Sequence, residues 1–125
     1  MFVHGYNCSF DDAAFRTAQI AHDLSFSGAP IFYSWPSSAS VPKYSVDEQQ
    51  AEWSQTNLTN FLDAFFDRID AEQIHLIAHS MSNRALTRAI AGVLERRPGL
   101  SARIREIGLT PPDIDAEVFR RDIAP

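Results

Sequence analysis

The stretch Ile74-His75-Leu76-Ile77-Ala78-His79-Ser80-Met81-Ser82-Asn83 opens as an apolar run and turns polar at a serine with small residues two positions to either side. Residues 73–78 are apolar almost throughout, as a central strand of a parallel sheet is when both its faces are covered. Residues 82–96 continue with helical spacing, and Arg97-Pro98-Gly99 ends them. A strand that passes so abruptly into a helix needs a sharp turn, and Ser80 stands at its apex. An ordinary serine is a poor nucleophile, because it needs exposure, a base and donors for the oxyanion. A turn of this kind supplies the exposure. Its crowding demands small residues two before and two after, usually glycines; here they are Ala78 and Ser82. Serine is also a favoured helix N-cap, so the pattern alone leaves both roles open for Ser80.

Working outward, residues 1–3 read as the end of a strand that runs into His4-Gly5-Tyr6-Asn7. Ser9 is placed to cap a helix, with Asp11 and Asp12 in its first turn, where the helix dipole favours carboxylates. Ala14, Ala18 and Ala21, with Phe15, Ile20 and Leu24, predict its apolar stripe to about residue 25. Residues 31–35 form a second short strand, and residues 36–46 a loop rich in Ser and Pro. Residues 47–68 predict a long helix with Trp53, Leu58, Phe61, Leu62, Phe65, Phe66 and Ile69 on its apolar side. Residues 104–109 give a fourth strand, 111–115 a loop, and 116–122 the opening of a further helix. The alternation predicts an α/β fold: three layers, α-β-α, with a mainly parallel sheet of about four strands and right-handed crossovers. No internal repeat or long linker divides the chain, so residues 1–125 read as one domain.

Composition narrows the function. The 125 residues are 45% hydrophobic and 22% charged, ordinary values for a globular domain. A net charge of −5 with a single lysine, Lys43, argues against a partner made of nucleic acid. Arg96, Arg97, Arg103 and Arg105 are expected on a solvated helix end. Cys8 is the only cysteine, which excludes an intrachain disulfide and a metal site built on thiolates. No metal and no organic cofactor is implied. No apolar run approaches the roughly 20 residues of a membrane span.

His4-Gly5 lies at the C-terminal end of the first strand, the edge where ligands bind in open α/β sheets. Gly5 allows close approach of the chain to a substrate. Backbone N–H donors are expected near Gly5 and Tyr6 and at Met81, directly after the serine. A plain turn at His4-Gly5 is the alternative. Tyr6, Tyr33 and Trp35 suit a substrate pocket, and Tyr33 and Trp35 suit a buried core equally well.

Four segments together resemble the α/β-hydrolase superfamily, and more closely a bacterial family of largely uncharacterised hydrolases. They are Phe2-Val3-His4-Gly5-Tyr6-Asn7, Phe32-Tyr33-Ser34-Trp35-Pro36-Ser37, Ile74 to Arg84, and Pro112-Asp113-Ile114-Asp115. Family members usually carry glycine at the position of Ser82. The resemblance implies that the strand ending at His4 lies between those ending at Trp35 and Ala78, with Gly5 beside Ser80. It implies a larger domain, with antiparallel strands before Met1 and a further part after Pro125. It also implies a triad in the order serine, acid, histidine. Yet His4, His22, His75 and His79 all precede Ser80. In similar hydrolases the residue at His4 supports the oxyanion loop. His79 is expected to pack or hydrogen-bond, His75 to be structural and His22 solvated. Asp113 is the candidate acid; a cap for the helix at 116, or an acid beyond residue 125, are its alternatives. The function expected is a lipase-like hydrolase of a small carboxylic ester, weak or inactive as this piece. The rival is a degenerate, non-catalytic hydrolase-fold module that binds a partner. Exposed sheet edges would invite pairing with a second copy of the chain.

Overall fold

Residues 1–5, 8–35 and 44–112 are described by the computed structural model, without the side chains of 44–54 and 111–112. In chain order the elements are β1 (Phe2–Val3), α1 (Phe10–Asp23), β2 (Phe32–Tyr33), α2 (Tyr44–Arg68), β3 (Ile74–Ser80), α3 (Ser82–Arg96), a 3-10 turn (Pro98–Arg103) and β4 (Ile104–Pro112). The sheet is four-stranded, in the order β2-β1-β3-β4, and every pairing in it is parallel. The expected placement of the first strand between the second and third is what the sheet has.

Strand alternation sorts the layers. Ile74, Leu76 and Ala78 of β3 are buried together with Leu58, Leu62, Phe65 and Phe66 of α2 and Leu86, Ala89 and Val93 of α3. His75, Ile77 and His79 point to the opposite face, where α1 lies. A cavity of about 450 Å³ opens there, bounded by Ile20, Ala21 and Leu24 of α1 and by His75 and Ile77 of the sheet. Helices therefore cover both faces of the sheet.

The local reasons are visible in single side chains. Ser9 and Asp12 form a reciprocal capping box: the Asp12 N–H donates to Ser9 Oγ and the Ser9 N–H to Asp12 Oδ2, each at 3.1 Å. The apolar stripe of α1 differs from expectation. Its buried residues are Ala13 and Thr17, while Phe15 is 74% and Leu24 69% exposed. The helix lies over two strands of only two residues each. So narrow a support accepts small side chains beneath the helix and leaves bulky ones at its margins. Thr17 satisfies its hydroxyl by donating to the Ala13 carbonyl at 2.7 Å.

Boundaries shift elsewhere. α2 begins at Tyr44, inside the expected 36–46 loop, because the segment after Lys43 carries no Pro or Gly and brings Asp47 and Glu48 to its first turns. β4 continues through Pro111 and Pro112, which an outer strand of the described sheet tolerates. The rest of the expected loop, 36–43, and the expected helix at 116–122 lie outside the described residues. Arg96 is exposed at the end of α3, as expected, and three of these arginines also join elements. Arg96 reaches Asp63 at 2.9 Å and Arg97 reaches Asp67 at 2.6 Å, tying α3 to α2. Arg103 donates to the carbonyls of Phe66 at 2.8 Å, Ala71 at 3.0 Å and Ile69. Among the described residues no helix is long and apolar enough to cross a membrane.

Candidate active site at the Ser80 turn

β3 ends at Ser80 and α3 starts at Ser82, so the chain reverses direction within one intervening residue. Ser80 has φ 57°, the left-handed region that costs a residue with a Cβ about 1–2 kcal/mol. Such a conformation persists only where the surroundings impose it. Here the pairing of β3 with two neighbours imposes it from one side and the packing of α3 from the other. Asn83 completes the turn by donating from Nδ2 to the Ser80 carbonyl at 2.7 Å. The alternative role of Ser80 as a helix N-cap is not the one it has. Met81 occupies the N-cap position at φ −63°, ψ −21°, and no side chain caps the helix there. Met81 itself is 1% exposed, with its side chain in the core. Any part it plays at the turn therefore falls to its backbone N–H. The first N–H groups of a helix lack intrahelical acceptors.

Register brings the opening segment to this turn. Val3 pairs with Ala78, so two residues further on each strand Gly5 arrives beside Ser80. The approach is too close for a side chain: a Cβ on Gly5 would stand 2.7 Å from His79 Nδ1, 2.9 Å from the His79 carbonyl oxygen and 2.9 Å from Ser80 Cβ. Glycine is needed for room here, since its φ is not positive.

Behind Gly5 lies a buried polar knot. His4 is fully buried and stacks on Trp35, with ring centroids 5.0 Å apart. The Trp35 backbone N–H donates to His4 Nε2 at 3.1 Å, which fixes the tautomer: Nδ1 carries the proton and donates to the Gly5 carbonyl at 2.8 Å. The Trp35 indole N–H donates to the His4 carbonyl at 2.6 Å and to Ser82 Oγ at 2.9 Å. The Ser82 hydroxyl in turn donates to the same His4 carbonyl. With both ring nitrogens engaged and no exposure, His4 supports the loop and is not positioned as a base.

The other sequence candidates fall as follows. Ser80, Gly5, His4 and Met81 converge on one end of the sheet. Tyr6 and Asp113 lie outside the described residues. His79 is half-buried; burial, and then the nearby Arg16 cation, lower its pKa. No hydrogen bond among the described residues joins it to the Ser80 hydroxyl. His75 sits 3.4 Å from Glu106 near the start of β3, and His22 is exposed on α1. Trp35 belongs to the core. Tyr33 packs on Phe61, with ring centroids 5.1 Å apart, and burial raises its pKa. Sequence reading did not anticipate the roles of the Ser82 hydroxyl, the Trp35 indole or the Asn83 amide. The one available signal was a polar residue at position 82, where a crowded turn calls for the smallest. Among the described residues no cluster of three or more His, Cys, Asp or Glu side chains is arranged to hold a metal ion.

A family model described as "Alpha/beta hydrolase of unknown function (DUF900)" matches residues 1–125. Neither a curated protein nor a solved structure shows a significant match.

Proposed function

We propose a serine-hydrolase function, from the premise that this chain belongs to the alpha/beta hydrolase family of unknown function (DUF900) whose model spans all of it. The observation that carries the proposal is the left-handed backbone of half-buried Ser80 at a strand-to-helix turn, with Gly5 packed against it. Strain at a residue with a Cβ clusters at active sites. A strained turn at the C-terminal end of a strand suits a nucleophile, because it can present the hydroxyl beyond the strand.

The reaction is the hydrolysis of a carboxylic ester. Ser80 Oγ attacks the carbonyl carbon and loses its proton to a base. The carbonyl oxygen takes up negative charge, which the N–H of Met81 and those of the Gly5–Tyr6 segment receive. Collapse of the intermediate expels the alcohol, which recovers the proton, and water then releases the acid by the same steps. None of the four histidines is placed as that base, so catalysis needs one supplied from elsewhere, with Asp113 the candidate to orient it.

The test is labelling of the full chain specified by its coding sequence with a fluorophosphonate probe, followed by peptide mapping. Ser80 carries the label, and Ser80→Ala abolishes it. A probe that never reaches Ser80 overturns the proposal. That result favours a non-catalytic module that binds a partner.

A further inference from the structure

We infer that Ser82 is a positioning residue: its hydroxyl, together with the Trp35 indole, pins the His4 carbonyl and thereby holds Gly5 against Ser80. The inference rests on the serine-hydrolase reading for its catalytic consequence, and on hydrogen bonds alone for its structural one.

Two demands conflict at Gly5. Close approach to Ser80 forbids a Cβ there, yet glycine is the residue with the most backbone freedom. A loop that must present amides to a developing charge cannot be left with that freedom, because preorganised donors are what makes an oxyanion site effective. The structure removes it from both sides. On the side before Gly5, the His4 carbonyl accepts from the Ser82 hydroxyl and from the Trp35 indole. A trans peptide is planar, so holding that carbonyl also sets the direction of the Gly5 N–H. On the side after Gly5, its own carbonyl accepts from His4 Nδ1. The imidazole is kept in place by the Trp35 backbone N–H and by stacking on the Trp35 ring.

Ser82 closes this arrangement. Its Oγ gives a proton to the His4 carbonyl and receives one from the Trp35 indole, so three buried polar groups satisfy one another. The residue is 1% exposed, which shields the bonds from water. Ser82 also begins α3, two residues after Ser80. One side chain thus links the helix that follows the nucleophile to the loop beside it. A glycine or alanine at 82 would take the hydroxyl's hydrogen bond away from the His4 carbonyl.

The experiment compares wild type, Ser82→Ala and Ser82→Gly in the full chain; both variants only remove atoms. Turnover of p-nitrophenyl acetate, normalised to sites titrated by the fluorophosphonate, is measured together with amide hydrogen exchange at Gly5. The expected result is faster exchange at Gly5 and a kcat about tenfold lower per titrated site, with KM held. That is less than the roughly 10²–10³ that follows outright loss of an oxyanion donor. A merely structural role would lower the number of titratable sites and leave kcat per site unchanged. Unchanged kcat per site, or a fall in kcat without faster Gly5 exchange, overturns the positioning role while the hydrolase reading stands. If wild type neither labels nor turns over, the hydrolase reading fails, and Gly5 exchange alone decides the pin: faster exchange upholds it and unchanged exchange overturns it.

Discussion

A left-handed backbone separates Ser80 from Ser9, which caps the N-terminus of α1 from the extended region. The Ser80 φ of 57° would be relieved by glycine, which enters the left-handed region at no steric cost. Ser80→Gly and Ser80→Ala both remove the hydroxyl, but only the glycine removes the strain. Ser80→Gly is therefore expected to be more stable than Ser80→Ala by about 1 kcal/mol, read from the difference in urea midpoints at equal slope. Equal midpoints would show that the turn is not strained at this residue. The neighbouring Gly5 illustrates the opposite use of the amino acid: what matters there is missing volume, since a Cβ would meet Ser80 Cβ at 2.9 Å. Two adjacent positions in space thus depend on side-chain size and backbone conformation for separate reasons.

Between elements, the joints are made by long polar side chains whose roles composition does not reveal. Arg103 sits at the junction of the 3-10 turn and β4, yet its guanidinium serves the end of α2. It gathers the carbonyls of Phe66, Ile69 and Ala71 and lies 5.6 Å from the centre of the Phe66 ring. Those carbonyls belong to the end of α2 and the connection that follows it, where helical acceptors run out. Arg103→Ala is expected to cost about 2 kcal/mol in denaturant unfolding, the scale of hydrogen bonds to a charged group. Arg103→Lys should recover only part of it, because an ammonium cannot present the planar fork. A lysine variant as stable as wild type would show that the fork is not what matters.

At the scale of the molecule, the sheet brings α1 and β3 together around His79, and this sets a pH response. Burial, followed by the Arg16 cation, lowers its pKa from 6.5. The unfolded chain therefore binds the proton more readily than the folded one. Stability is complete above the unfolded value and declines as pH falls through 6.5 towards the lower folded value. The urea midpoint should drop as pH falls from 7 through 6.5, and His79→Gln should flatten that part of the drop. Parallel pH profiles for the two proteins would remove His79 as the cause.

How much of this was legible follows from chain distance. The alternation of short apolar strands with amphipathic helices, and the abrupt change of period at Ser80, are local patterns, so the α/β class, the parallel layers and the candidate turn could be read from residues near one another. The buried stripe of α1 misled because periodicity ranks side chains by hydrophobicity, while the two-residue strands beneath it select by size. The knot of His4, Trp35 and Ser82 was out of reach for another reason. Its bonds join residues 31 and 78 positions apart, and no local pattern encodes which polar atoms will meet across such a span. Sequence by itself determined which segments become strand and helix, because neighbouring side chains decide how a segment covers its apolar face. The resemblance already set Gly5 beside Ser80; only the tertiary structure decided that their contact leaves no room for a Cβ and that the Ser82 hydroxyl stands behind them, because strand register and the packing of the helix on the sheet set those distances.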